Sequence, residues 1–442
     1  MASSGEFGRR SLELRPYQEI GRDFLASRSR ALLADQMRVG KTPQAILAAK
    51  KIGAQRVLVL CPAIAVNQWV QEWERWAGVF AIPYKGGEPV GPVVVIASYQ
   101  MIQRHIEHFN PTHWDVLIVD ECHKAKNPEA GITHMVYGKN GLGWRAEYIW
   151  ALSGTPAPNH AGELWPMLRA FGVVDMTYDE YIRRYCTVLW WPERRIVGTR
   201  EKMIPELRGL LAKCMLRRTR AEVAPEMPAI DYQFLPVEPD LALVNALLEN
   251  AGEARADLAR LGSALQDRSN PAAYIEDHAR DFTAARQYCA YAKVPALADH
   301  IAFALDNNLL QQTIVFGHHV GPLLCLRTQL TARNFRVELI QGGTSAQKRQ
   351  EIMRDFQAGK IQVVGANITA AGTAIDLSAA SHGYFLEMSW VTGENEQAAN
   401  RLVSLMKSQS VTFDIAVWED SPDAKVQAAL ARKARELRQI FS

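Results

Sequence analysis

The chain has 442 residues, enough for two or three domains at about 150 residues each. Hydrophobic residues make up 48% and charged residues 22%, which excludes a disordered chain; a formal net charge of only +3 excludes a uniformly basic, histone-like binder. No stretch approaches the roughly 20 apolar residues of a membrane-spanning helix, so no membrane partner is expected.

Met1–Arg10 is polar and lacks the apolar core of a signal peptide. From there the first half alternates short apolar runs with helical patterns. Ala31–Asp35, Val57–Pro62, Val93–Ser98, Val116–Asp120 and Ile149–Ser153 read as buried strands, and Thr42–Lys51 and Asn67–Trp76 as helices between them. Such alternation predicts an α/β fold with a parallel sheet and a ligand site beyond the carboxyl ends of its strands. Pro225–Pro228 and Pro236–Pro239 mark crossings between lobes. Residues 240–300 are Ala/Leu-rich and helical. The α/β texture returns in Thr313–Phe316, Arg336–Ile340, Ile361–Ala366, His382–Glu387 and Val411–Val417, with a helix at Ser345–Gln357. Pro422–Phe441 reads as a closing amphipathic helix. The expected domains are 1–235, with a basic insertion at 166–235, then a helical linker at 236–295, then 296–442. The six cysteines (Cys61, Cys122, Cys186, Cys214, Cys289 and Cys325) form no C-x-x-C pair and read as reduced, buried thiols.

Three strand ends carry chemistry. The first runs into Asp35-Gln36-Met37-Arg38-Val39-Gly40-Lys41-Thr42. A strand, a tight loop, Gly-Lys-Thr and a helix make a phosphate cradle of backbone N–H groups, with Lys41 on the β/γ-phosphates and the Thr42 hydroxyl on Mg²⁺. Asp35 departs from the strict pattern by replacing its first glycine. The second run ends in Asp120-Glu121-Cys122-His123, where Asp120 can hold Mg²⁺ on ATP and Glu121 can polarise the attacking water. The third ends in Ser153-Gly154-Thr155-Pro156, whose hydroxyls can sense the γ-phosphate if its strand lies beside the other two.

Other patterns read more plainly. Trp69, Trp73 and Trp76 share one helix face and read as core. His318-His319 would point to opposite faces of a strand, which argues against a metal. Cys122 beside His123 sits inside the carboxylate motif, which argues against a nucleophilic dyad.

Leu14-Arg15-Pro16-Tyr17-Gln18, the Gly-Lys-Thr loop, Asp120-Glu121-Cys122-His123, Ser153–Asn159 with Glu163-Leu164-Trp165, and Leu216-Arg217-Arg218-Thr219-Arg220 together resemble the Swi/Snf-type ATPases of helicase superfamily 2, in particular the compact branch that includes the annealing helicases. The resemblance covers roughly residues 12–420. It implies two RecA-like lobes with ATP between them, and ATP-dependent movement along double-stranded or branched DNA. It implies that Arg15, Gln18, Arg38, Gly40, Lys41, Thr42, His123, Gly372 and Gln397 line the nucleotide, with Gln18 on adenine and His123 coupling the γ-phosphate to movement. Lys41, Asp120, Glu121 and Arg401 are the implied catalytic set, Arg401 as the arginine reaching the γ-phosphate. Pro62, Gln68, Ser98, Thr155, Gly342, Thr369 and Trp390 are the implied DNA contacts. Arg38 stands where the family has glycine, and Ser404, Met406 and Lys407 replace the second arginine, glycine and glutamine of the last motif. Hydrolysis is slowed by that loss, or a neighbour such as Lys407 substitutes. No chromatin-reading or nuclease signature is present, which fits a bacterial or phage motor in the cytoplasm, associated with the nucleoid and without an evident protein partner.

The charge is unevenly spread. Between Arg183 and Arg220, eleven Lys/Arg stand against Glu193, Glu201 and Glu206, a net +8 that leaves −5 for the rest. With Tyr185 and Trp190-Trp191 interleaved, this segment is a candidate phosphate-backbone contact through Arg194, Arg195 and Arg200. Together these features point to a translocating, DNA-dependent ATPase. The alternatives are a strand-separating helicase on RNA or forked DNA, and a weakly hydrolysing, ATP-switched DNA-binding module.

Overall fold

The structure, a computed structural model, describes residues 13–89, 91–189, 194–243, 279–371, 376–403, 407, 409–419, 430 and 439–441. The chain divides into two compact units. The first contains residues up to 156, 163–176 and 209–219; the second contains 157–162, 177–208 and everything from 220 onward.

The strands, in chain order, are β1 (Arg30–Leu33), β2 (Arg56–Cys61), β3 (Ile82–Pro83), β4 (Val93–Ser98), β5 (Trp114–Asp120), β6 (Ala146–Leu152), β7 (Cys186–Leu189), β8 (Arg195–Thr199), β9 (Met215–Leu216), β10 (Ile230–Pro236), β11 (Thr313–Gly317), β12 (Val337–Ile340), β13 (Val363–Asn367), β14 (His382–Phe385) and β15 (Val411–Val417). In the first unit they form one parallel sheet, ordered β3-β4-β2-β5-β6-β1-β9. Its middle strands are buried on both faces, which is why they read as continuous apolar runs rather than alternating ones. The five expected strands are β1, β2, β4, β5 and β6. The additional β3 and β9 have two residues each, too few for any periodicity to show.

Helix Val66–Ala77 ends where Gly78 turns left-handed (φ 67°). Its Trp69 and Trp73 are buried in the core with Val57, Val59, Ile96 and Ile118, and Trp76 packs against that cluster. The tryptophan stripe is a core face, as expected.

The second unit holds a parallel six-stranded sheet, ordered β10-β15-β14-β11-β13-β12. Strand alternation divides its core. Ile314, Phe316, Val364, Phe385 and Phe413 pack on one face. Val315, Val363, Tyr384 and Ala416 pack on the other, against Val294, Leu297 and Ile301 of helix Ala279–Asp306. That helix runs straight through the 295/296 boundary expected from the sequence. Strand β10 crosses the expected 235/236 boundary at its last residue and pairs with β15. A separate antiparallel hairpin, β7–β8, has a bulge between Thr187 and Val188. Residues 244–278, and all of Pro422–Phe441 but 430 and 439–441, lie outside the described residues. No described helix is long and apolar enough to cross a membrane. Cys61, Cys122, Cys186, Cys214 and Cys289 are buried free thiols, and Cys325 is half-buried.

Candidate functional site

Strands β1, β6 and β5 are neighbours and run parallel, so the three chemistry-bearing strand ends lie side by side along the carboxyl ends of the first sheet. Beyond β1 the chain makes its tight loop and enters helix Lys41–Lys51. Gly40 precedes the helix at φ 79°, and a Cβ there would stand 2.4 Å from Gln18 Nε2. A side chain at that left-handed position would be strained and would displace Gln18, and the first N–H groups of the helix have no intrahelical partner. Arg38, where the resemblance leads one to expect glycine, is also left-handed (φ 69°). Lys41 Nζ donates to the carbonyls of Asp35 (2.8 Å) and Gln36 (3.4 Å). Burial pulls its pKa down, against the opposing pull of Glu121, Asp35 and Asp120. Half-buried Thr42 follows in the helix's first turn.

Helix Pro16–Ala26 fastens this loop from outside. Tyr17 Oη and Gln18 Nε2 each donate to Val39 O at 3.1 Å, while Gln18 Oε1 accepts from Arg15 N at 3.0 Å.

At the end of β5, Asp120 Oδ2 accepts from Trp69 Nε1 at 2.8 Å, and its backbone carbonyl accepts from Tyr99 Oη at 2.6 Å. Burial, and then the charge of Glu121, push the Asp120 carboxyl up to about 7, partly offset by the Trp69 bond and by Lys41. Two carboxylates here share one buried lysine, so the pocket is short of positive charge, a deficit that a divalent cation would meet. Glu121 adopts φ 50°. Its Oε2 lies 3.4 Å from both His123 Nδ1 and Ser153 Oγ; Ser153 Oγ is 3.1 Å from His123 Nδ1 and accepts from Thr155 N at 3.1 Å. These contacts chain Glu121, His123, Ser153 and Thr155 across the ends of β5 and β6. Burial lowers the pKa of His123, favouring a neutral ring that can accept or donate. Thr155 Oγ1 is buried with no hydrogen-bond partner among the described residues. Glu163 pairs with Lys126 at 2.7 Å.

In the second unit the expected residues also follow strand ends. Gly342 is exposed in the turn after β12, where Gln341 N donates to Thr344 Oγ1. Exposed Thr369 follows β13 and donates to Asn367 Oδ1 at 2.5 Å. Trp390 follows β14 with the buried Arg286 guanidinium 4.9 Å from its ring. Gln397 is half-buried on helix Thr392–Ala399, and Arg401 sits in the turn after it. Lys407 Nζ donates to Ser378 O (3.0 Å), Leu402 O (3.4 Å) and Ala380 O. His318 and His319 lie beyond β11 rather than on it, so strand alternation does not apply to them. Their rings are 4.9 Å apart, and His319 Nδ1 stands 2.6 Å from buried Glu387.

The sequence matches the SNF2-related domain over residues 17–240 and the helicase conserved C-terminal domain over residues 292–405. The chain belongs to the SNF2-related family. It is a helicase-like ATPase of that family. It is similar to the "DNA annealing helicase and endonuclease ZRANB3" of Mus musculus, 28% identical over 96% of this chain and 40% of the mouse protein. It is also similar to the "Putative ATP-dependent helicase/translocase YwqA" of Bacillus subtilis, 25% identical over 95% of this chain and 48% of that protein. The chain thus spans about two-fifths to a half of these relatives' length. Among solved structures, the "Sulfolobus solfataricus SWI2/SNF2 ATPase core in complex with dsDNA" aligns over 97% of both chains, with 18% identity and a TM-score of 0.45.

In this SNF2-related ATPase the remaining expected residues are scattered. Pro62 and exposed Gln68 follow β2. Ser98, at the end of β4, is buried and accepts from Met101 N at 3.2 Å, capping a short helix. Much of the basic segment is spent inside the fold. Arg184 forks onto Glu206 (2.8 Å, twice), exposed Arg194 pairs with Asp179, and Arg200 Nε donates to Cys186 O at 2.9 Å. Arg195 is half-buried in β8. Arg217 and Arg218, counted by composition with the DNA-facing charge, turn to the phosphate loop instead. Arg218 Nε donates to Asp35 Oδ1 at 3.0 Å, and Arg217 Nη1 donates to Ala34 O and Gly154 O, both at 3.0 Å. Trp69, Tyr99, Arg217 and Arg218 are site residues that sequence reasoning missed. The helical stripe marks Trp69 as core, but no pattern marks which of these side chains also reaches Asp120 or the phosphate loop. Gly372, Ser404, Met406, Trp190 and Trp191 lie outside the described residues.

Proposed function

We propose that this ATPase moves along double-stranded DNA, forked or branched duplexes included, using the free energy of ATP hydrolysis. The observation that supports this most is the convergence of Gly40, Lys41, Asp120, Glu121, His123 and Ser153 on three adjacent strand ends, in a chain of the SNF2-related family. The name "DNA annealing helicase and endonuclease ZRANB3" of one relative favours DNA as the track, and "ATP-dependent helicase/translocase" of another favours movement along it.

In this reading Lys41 leaves the carbonyls of Asp35 and Gln36 for the β- and γ-phosphates of ATP, which also meet the open N–H groups after Gly40. The excess of carboxylate charge fits Mg²⁺, which would be held by Asp120 and the Thr42 hydroxyl; when bound it would supply charge neutralisation on the phosphate oxygens. Glu121 accepts the proton of the water that attacks the γ-phosphorus as the bond to ADP breaks. His123 and Ser153 hold that carboxylate and register its loss of freedom. Arg401 supplies positive charge to the transferring phosphoryl group, and Arg15, Arg38 and Gln397 assist in binding. Gln18 meets the adenine while keeping its bond to Val39. Gln68, Thr155, Arg194, Gly342, Thr369 and Trp390 face the DNA backbone, which implies little sequence specificity.

The test is ATP turnover with and without duplex DNA for the wild type and Lys41→Ala. Duplex-stimulated turnover in the wild type and none in the variant is expected. Equal turnover in both overturns the enzyme reading. A strand-displacement assay on tailed duplexes tests movement without separation: unwinding that tracks ATP turnover makes this a strand-separating helicase.

A further inference from the structure

Asp35 has no exposed surface and no role in the chemistry above. A buried carboxylate is costly unless paired, and this one is held by a side chain 183 positions later in the chain. The Arg218 guanidinium lies across it, Nε to Oδ1 and Nη2 to Oδ2, and Gln44 Nε2 adds a bond to Oδ2 at 3.4 Å. The same guanidinium donates to Gln44 Oε1 at 3.0 Å and to Tyr17 O. One side chain therefore joins the end of β1, the helix that opens at Lys41 and the helix that fastens Val39. Arg217 joins Ala34 O to Gly154 O, and Gly154 is packed so closely that a Cβ would stand 2.9 Å from Met37 of the phosphate loop. The backbone takes part as well. Ala34 N donates to Leu216 O (2.7 Å) and Gln36 N to Arg218 O (2.9 Å), carrying the β1–β9 ladder into the loop itself.

We propose that Arg218 and Arg217 are positioning residues for nucleotide binding. They fix where the phosphate loop begins, and with it the direction in which the Gly40–Thr42 amides and Lys41 face. The first unit ends at Thr219, so the chain leaves it directly from this lock. Strain arriving along residues 220 onward meets this lock beside the phosphate loop, and grip on the nucleotide follows that strain. The proposal rests on the nucleotide site proposed above.

The test compares the wild type with Arg218→Lys, which keeps the charge beside Asp35 but replaces a planar fork with a point donor, and with Arg217→Lys. The KM for ATP, the Kd of a fluorescent ADP analogue, kcat at saturating ATP and the melting midpoint are measured together. For Arg218→Lys, a rise of about tenfold in both KM and Kd with kcat within about threefold is expected, since sub-ångström displacement of binding groups weakens oriented contacts. A lower melting midpoint with KM and Kd unchanged overturns the proposal, because the arginine then only braces the fold. Should Arg218→Lys fail to fold, the same readings on Arg217→Lys decide it, with unchanged KM and Kd again overturning it. A wild type that neither binds the analogue nor turns over ATP overturns the nucleotide site itself. An active wild type with unaffected variants overturns the positioning role alone.

Discussion

Arg38 and Glu121 hold left-handed backbones that side chains other than glycine and asparagine adopt at a cost; among the described residues the other three such positions, Asn140, Asn308 and Asn334, are all asparagine. Both costly positions adjoin the phosphate loop or the carboxylate pair, where strain is tolerated because the surrounding contacts impose it. Comparing Arg38→Gly with Arg38→Ala isolates the backbone, since both lose the side chain. The glycine variant should be the more stable by about 1 kcal/mol in chemical denaturation. Trp69→Phe keeps a ring in the core but loses the bond to Asp120 Oδ2 that favours the charged carboxylate, so about a tenfold loss in kcat/KM and a higher Mg²⁺ concentration for half-maximal activity are expected in steady-state ATPase assays. Lys407 was a candidate stand-in for a missing arginine, yet its ammonium is committed to three backbone carbonyls. Burial draws its pKa down to about 8, from the 10.5 it has when unfolded. Between those values the unfolded chain binds more protons, so stability contributed at this site rises with pH. Relative to Lys407→Met, the wild type should gain in urea midpoint from pH 8 to pH 10, and the gap should stay flat below pH 7.

At the scale of elements, buried parallel strands were legible because burial on both faces leaves an unbroken apolar run. The ends of β1, β5 and β6 were legible because polar residues interrupt that run abruptly. Strand β9 was not: Met215-Leu216 is a strand only because β1 offers it an edge. The arginines after it were misread for a related reason. Composition counts charge but does not say which way it points, and Arg217 and Arg218 point inward. The hairpin β7–β8 leaves less free charge than the sequence suggests, with Arg194 on Asp179 and Arg200 on a carbonyl. Neutralising Arg194, Arg195 and Arg200 together should still lower the salt dependence of duplex binding. The slope of log K against log salt should fall by less than the roughly 0.9 per phosphate contact that three free arginines would give. Titrations at several salt concentrations check this, and an unchanged slope removes the hairpin from the interface.

For the whole molecule, the small net charge of +3 conceals a basic stretch of +8 in an otherwise acidic chain, and that stretch does two jobs. Part of it is surface, available to a polyanion. Part of it is internal neutralisation for Asp35. The nucleotide chemistry was legible because it is written in contiguous motifs. The supports of those motifs come from far along the chain and leave no local signal.

That distance has a consequence for how the protein is made. The phosphate loop consists of residues 35–42, but the partner of its buried carboxylate is Arg218. During synthesis a nascent chain that ends before Arg218 already contains every nucleotide-facing residue proposed for the first unit, yet it holds Asp35 without that counter-charge. Nucleotide binding is therefore expected to switch on late and abruptly. Fragments ending shortly before residue 214 should not retain a fluorescent ADP analogue, while fragments reaching past 220 should. In this chain the phosphate loop waits for a side chain made 183 positions later before it can work.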